Sequence, residues 1–186
     1  MTRIISGKHR GRKIAAPRNL PTRPTTDMAK ESLFNILNNH FYFDEIKFLD
    51  LCAGTGNISY ELASRGCTDI SAVDADNACV KFMEKTVTDL NFEGFTVYRS
   101  DIMQFIARDY KSYDLIFADP PFDFEQYEEL VDQIFFKNLV AEGGMLVIEH
   151  QSRTSLEDLP NFTEKRKYGN VTFSFFQKSD EEDEEE

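Results

Sequence analysis

Three cysteines and three histidines are all that the 186 residues contain, and neither set is grouped. Cys52, Cys67 and Cys79 are too widely spaced for a zinc knuckle or a C-x-x-C redox pair. An odd number without an export signal reads as reduced thiols. His9, His40 and His150 are equally scattered, so no metal centre is expected. No apolar run is long enough to span a bilayer. The charged N-terminus lacks the apolar middle of a signal peptide, and no internal repeat is visible. What is present is a chain with 41% apolar residues, long enough for one domain with a substantial core and a small appendage. It is expected to be a cytoplasmic monomer with no membrane partner.

The net charge of −12 argues at first against a nucleic-acid partner, but its distribution reverses that reading. Residues 1–26 carry seven basic side chains (Arg3, Lys8, Arg10, Arg12, Lys13, Arg18 and Arg23) and no acid. A basic arm of this kind is a candidate phosphate contact, because each neutralised phosphate releases counterions. Ile4, Ile5 and Ile14 can anchor the arm as a short hairpin. At the other end, Asp180 to Glu186 are all acidic and read as a disordered, solubilising tail. The expected division is a basic hairpin arm and loop over 1–25, a main domain over 26–178 and an acidic tail over 179–186.

Residues 3–16 suggest two short strands around Gly7 to Gly11. The proline- and threonine-rich stretch 17–26 reads as a loop, and Thr26 or Asp27 can cap a helix running to about Asn39. From there strands and helices alternate. Strands are expected at 47–52, 69–74, 95–98, 113–118 and 144–149, and helices at 58–65, 77–90, 102–108 and 127–139. Strands at 163–168 and 171–177 meet at Gly169-Asn170, a hairpin turn. The fold class is therefore α/β: a mainly parallel, Rossmann-like sheet covered on both faces, with a C-terminal antiparallel hairpin and a small N-terminal β-hairpin. A ligand should sit beyond the carboxyl ends of the strands.

The candidate chemical residues fall at those ends. Asp50-Leu-Cys52-Ala53-Gly54-Thr-Gly56-Asn57 is a glycine-rich turn between a strand and a helix. Asp74, ending the next strand, can accept hydrogen bonds from a ribose diol. Asp101, after the third strand and followed by Ile102, could accept from an adenine amino group. A dinucleotide fingerprint would place a third glycine after Gly56, where this chain has Ile58 and Ser59. Asp50, an acid before the glycines, would repel a pyrophosphate but suits a positive amino group. Both points favour S-adenosylmethionine over NAD.

Asp119-Pro120-Pro121-Phe122 follows the fourth strand. Two consecutive prolines remove two N–H donors and leave carbonyls and a carboxylate, all acceptors. That environment suits an amino group. Bonds to Asp119 and to the Pro120 carbonyl would aim its nitrogen and favour a pyramidal geometry with an available lone pair. Phe122 offers a face for base stacking. Either motif alone fits an ordinary tight turn. Together with Asp74, their order at strand ends argues for a site.

With these motifs the chain resembles the class I methyltransferases, and within them the bacterial 16S rRNA guanine-N2 methyltransferases of the RsmD type. The resemblance is carried by Arg3-Ile-Ile-Ser-Gly-Lys-His-Arg-Gly-Arg-Lys13, by Arg23-Pro-Thr-Thr-Asp27 with Glu31-Ser-Leu-Phe-Asn35, and by the glycine turn paired with Asp119 to Phe122. It implies N2 methylation of one guanine of 16S rRNA during small-subunit assembly, with ribosomal proteins helping to shape the substrate. By position it implies that Asp50, Cys52, Ala53, Gly54, Gly56, Asn57, Asp74, Asp101 and Ile102 hold S-adenosylmethionine. Asp119 to Phe122 would hold the guanine. Arg3, Lys8, Arg10, Arg12, Lys13 and Arg23 would contact RNA. Met28-Ala29-Lys30 departs from a family segment in which basic residues are common, and the acidic tail has no counterpart to carry over. Two alternatives stay open. One is a DNA adenine-N6 methyltransferase, which shares the D-P-P-F chemistry but for which little chain remains as a DNA-recognition domain. The other is a non-catalytic RNA-binding assembly factor, against which the intact Asp119 and glycines argue.

Overall fold

The computed structural model describes residues 1–179; the acidic run 180–186 lies outside the described residues. Strand β1 (Thr2–Arg3) pairs antiparallel with β2 (Lys13–Ile14), forming the expected N-terminal hairpin. It is not a free arm. Ile4 and Ile14 are buried in the same core as the main domain. Gly7, at φ +82°, lies so close to the following structure that a Cβ there would stand 1.9 Å from the Ser64 carbonyl oxygen.

Helix α1 (Asp27–Leu37) starts where its cap predicts: the Thr26 side chain accepts from the Ala29 N–H at 3.2 Å. A short 3₁₀ turn at Phe43–Glu45, which periodicity does not announce, leads into β3 (Phe48–Leu51). Then follow α2 (Asn57–Ser64), β4 (Ile70–Asp74), α3 (Asn77–Asp89), β5 (Phe95–Arg99) and α4 (Ile102–Arg108). The chain continues with β6 (Tyr113–Ala118), α5 (Tyr127–Phe136) and β7 (Val140–Gln151), and closes with β8 (Phe162–Tyr168) and β9 (Val171–Phe176). The β8–β9 turn has a positive φ at Gly169 (+62°) but not at Asn170, the pattern of a type II′ hairpin.

The large sheet runs β5-β4-β3-β6-β7-β9-β8. Its first five strands are parallel, and β9 lies antiparallel between β7 and β8. The expected architecture is thus borne out. Successive strand residues point to opposite faces, and β3 divides accordingly. Phe48 joins a core formed with α1, α2 and α3, whereas Leu49 and Leu51 join a second core formed with α4 and α5. The chain winds outward from β3 to β5 and then returns past β3 to β6. That reversal opens a crevice at the carboxyl ends of β3 and β6. No helix among the described residues is long and apolar enough to cross a membrane.

Candidate active site

A cavity of about 430 Å³ occupies the crevice. On the β3 side its wall is the glycine turn. The Gly56 N–H donates to the Ala53 carbonyl at 2.8 Å, and the Ala53 N–H to the Val73 carbonyl at 2.9 Å, which ties the turn to β4. Gly54 and Gly56 have φ of +59° and +88°, and a Cβ on Gly56 would lie 2.5 Å from Tyr60 Cζ. Only glycine fits there. Cys52 also takes a left-handed φ of 59°, a conformation costly for a side chain and characteristic of functional turns. Burial, reinforced by Asp74 and Asp119, pushes the Cys52 thiol up, so it is protonated and no nucleophile. Asp74 orders the turn from the next strand: its Oδ2 accepts the Gly54 N–H at 2.8 Å and its Oδ1 the Asp76 N–H at 2.9 Å. Asp50 is almost wholly buried and accepts a bond from the Ser59 hydroxyl at 2.6 Å. Burial raises its pKa to about 7 against the lowering effect of that bond, with Asp74 adding to the rise.

On the β6 side the Asp119 N–H donates to the Leu51 carbonyl at 3.1 Å, which fixes the start of the D-P-P-F segment beside the glycine turn. All four of its residues line the cavity, with Phe122 54% exposed at the rim. Burial raises the Asp119 carboxyl well above its ordinary range, and Glu149 and Asp50 raise it further.

The roof is the loop over 21–26. Arg23 lies 5.3 Å from the centre of the Phe122 ring, a cation–π contact. The Thr25 hydroxyl donates to Glu149 Oε2 at 2.7 Å, so β7 holds the loop over the site. Burial raises Glu149 to about 7, with Thr25 and Arg23 acting against the rise. His150, also in the wall, is not a base. Its Nδ1 faces the Gln151 carbonyl at 2.9 Å and must carry the proton, so Nε2 accepts from the Ser174 hydroxyl at 2.7 Å. Burial lowers its pKa, which keeps it neutral.

The structure thus brings together Asp50, Cys52, Ala53, Gly54, Asn57, Asp74, Asp119, Pro120, Pro121, Phe122 and Arg23 around one cavity. Gly56 closes the turn but does not line the cavity. Asp101 and Ile102 do not line the cavity. Asp101 caps α4, its Oδ1 accepting from the Met103 and Gln104 N–H groups at 2.9 and 3.1 Å, and Ile102 is buried in the α4–α5 core. Lys8, Arg10, Arg12 and Lys13 are exposed on the hairpin, away from the cavity wall. Arg3 forms a half-exposed ion pair with Asp27 at 3.4 Å. Glu149 and His150 are wall residues to which no motif points, and Thr25 comes from the Arg23-Pro-Thr-Thr-Asp27 segment, whose contact with the cavity its sequence does not announce.

A Rossmann-like sheet in this strand order, with a glycine turn and a buried acid facing D-P-P-F across the switch point, defines a methyltransferase. The chain belongs to the family described as "Conserved hypothetical protein 95", which matches residues 2–177. It is 32% identical to the "Putative rRNA methyltransferase YlbH" of Bacillus subtilis over 95% of this chain and 98% of that one. To the "Ribosomal RNA small subunit methyltransferase D" of Escherichia coli K12 it is 28% identical over 95% and 89%, which bears out the resemblance to the RsmD type. The structure titled "Putative methyltransferase yhhF from Escherichia coli" superposes with a TM-score of 0.83 at 29% identity, covering 94% of this chain and 96% of that chain.

Proposed function

We propose that the protein transfers a methyl group from S-adenosylmethionine to the exocyclic N2 of one guanine in 16S rRNA. It does so as a cytoplasmic monomer acting on an assembling small subunit that carries ribosomal proteins. The observation that carries this reading is Asp119 and the donor-free Pro120-Pro121 pair facing the glycine turn across one cavity. Relatives named for rRNA methylation over nearly the full chain support the RNA substrate.

The cavity suits the donor molecule. The glycine turn admits close approach to backbone, Asp74 in the same wall would accept from a ribose diol, and the buried Asp50 would give an amino cation a counter-charge. When bound, S-adenosylmethionine supplies an electrophilic methyl group on a sulfonium. The chain's own residues present the acceptor. Asp119 and the Pro120 carbonyl receive the two amino hydrogens, which directs the nitrogen lone pair into the cavity. Phe122 stacks the base, Arg23 beside it meets the nucleotide's phosphate, and the departing proton leaves through ionised Asp119 or water. Asp101 caps α4 through Oδ1 and lies outside the cavity lining, so its proposed contact with the adenine rests on Oδ2. The hairpin's exposed Lys8, Arg10, Arg12 and Lys13 serve the RNA backbone.

Labelled S-adenosylmethionine, incubated with small-subunit particles or RNA lacking the modification, is expected to mark a single residue that digests to N2-methylguanosine. No labelling of either substrate removes the reading; label in DNA adenine replaces it with the adenine-N6 alternative.

Donor binding carries a pH signature. Asp50 must be ionised to hold a cation, and its pKa is raised to about 7. Affinity for S-adenosylmethionine is therefore expected to fall as pH drops below 7, approaching about tenfold per unit, and to level off above it. Calorimetric titration between pH 5.5 and 8.5 tests this. Asp50→Asn should bind more weakly and lose the dependence; a flat wild-type profile would remove Asp50 from this role. Phe122→Ala, which loses a stacking face, is expected to lower kcat/KM for RNA about 10–100-fold while donor affinity stays unchanged in the same titration.

A further inference from the structure

D-P-P-F presents an amino group but does not distinguish guanine from adenine. A second carboxylate in the cavity does. Ala118 is level with Ile148 across the parallel β6–β7 pair, so Asp119 and Glu149 stand side by side at the next level, on strands about 4.8 Å apart. Glu149 is 6% exposed, and its surroundings are one-sided. Oε2 receives the Thr25 hydroxyl, whereas Oε1 has no donor among the described residues and is not sealed off, and the side chain lines the cavity. Glu149 joins no ion pair among the described residues. A buried carboxylate with an unused acceptor is costly unless a ligand donor completes it.

Guanine brings such a donor. Its N1–H lies next to the N2 amino group, so its edge offers three hydrogens in a row. Adenine places an N1 lone pair beside its amino group, and that lone pair would face a carboxylate. Resting on the guanine reading above, we infer that Glu149 is the base-specificity residue. Its Oε1 accepts the N1–H of the target guanine while Asp119 and the Pro120 carbonyl hold the two N2 hydrogens. Three acceptors then match three donors, and adenine is rejected by an unpaired, repulsive contact. Burial raises Glu149 to about 7, so its acceptor form prevails only above that pH, and a bound N1–H favours that form.

The test uses small-subunit particles reconstituted with ligated RNA carrying guanine or 2-aminopurine at the target position. 2-Aminopurine keeps the N2 amino group but has an N1 lone pair in place of N1–H. The full-length wild-type protein is expected to prefer guanine by at least about 100-fold in kcat/KM. In Glu149→Gln the amide N–H can donate to that lone pair, and the preference should collapse to within about tenfold or invert. Thr25→Val removes the hydroxyl bond to Glu149 and should lower both rates together, leaving the preference as in the wild type. Unimpaired donor affinity shows that each variant is folded. The inference is overturned if the wild type uses both bases equally, or if Glu149→Gln keeps the wild-type preference. The first arm needs no variant. A wild type that methylates some other base refutes the guanine reading itself, which is a different outcome.

Discussion

Asp119→Ala is expected to lower methyl transfer by about 10³-fold while the protein becomes no less stable. The activity loss follows from geometry. Asp119 is the carboxyl acceptor in a segment whose prolines remove competing donors, and its backbone N–H is held by Leu51 beside the glycine turn. Removing one preorganised polar group aimed at the reacting atoms costs about 10²–10³, and here the positioning of the nitrogen is lost with it. The stability result follows from electrostatics. Burial, Glu149 and Asp50 all raise the Asp119 pKa well above its ordinary value. The folded state therefore holds a proton that the unfolded chain releases, and stability falls as pH rises from the ordinary carboxylate range through the raised pKa. Above that pKa the folded protein bears an unfavourable charge, which alanine removes. Thermal melts followed from pH 5 upward should show the variant's Tm gaining on the wild type's as pH rises, until it equals or exceeds it, and RNA binding should be nearly intact. Asp119→Asn keeps a carbonyl acceptor and should retain activity between alanine and wild type. Unchanged turnover in Asp119→Ala would remove the proposed role.

The same logic of local signal against tertiary placement decides what the sequence reveals. β6 is legible because a doubly covered parallel strand reads as a nearly continuous apolar run, broken here only by Asp114, and α4 because the Asp101 cap marks its start. The glycine turn and D-P-P-F are legible because each imposes a backbone state that few residues allow. Asp101 is a different case. An aspartate just before a helix is a capping signal, and that role, rather than cavity lining, is the one its local sequence announces. Glu149 is hidden for the opposite reason. It sits in Met145-Leu-Val-Ile-Glu-His150, where only the pairing of β7 with β6 shows that an acid faces the cavity instead of solvent. The loop over 21–26 is similar: its role as a roof depends on the Thr25–Glu149 bond across 124 residues. Lys30 also escapes a charge-based reading, since Asp27-Met-Ala-Lys30-Glu31 looks like an exposed helix start. Its spacing from Leu33 and Leu37, three and seven residues on, places it on the buried stripe of α1.

Lys30 leads to the largest expected effect on stability. Its side chain is fully buried, and its Nζ donates to the Arg3 carbonyl at 2.5 Å and to Asn57 Oδ1 at 2.8 Å, with Glu61 Oε2 at 3.3 Å. Glu61, equally buried, accepts the Ile5 and Ser6 N–H groups at 2.9 and 3.0 Å and Arg65 Nε at 3.0 Å. Two charges thus fasten the basic hairpin to α1 and α2, and Asn57 carries the linkage to the glycine turn. Breaking such a pair from one side leaves a buried charge uncompensated and costs about 3–5 kcal/mol. Glu61→Ala is therefore expected to lower Tm by roughly 10 °C and to weaken RNA binding through a detached arm. Replacing both charges by apolar residues, Lys30→Met with Glu61→Leu, should recover much of the global stability, because the desolvation cost disappears with the pair. It cannot restore partners for the Ile5 and Ser6 N–H groups. Hydrogen exchange across residues 4–10 should therefore stay fast in the double variant while the sheet regains protection. A Glu61→Ala protein within about 1 kcal/mol of the wild type in denaturant unfolding would refute the account, since an exposed pair costs no more than that.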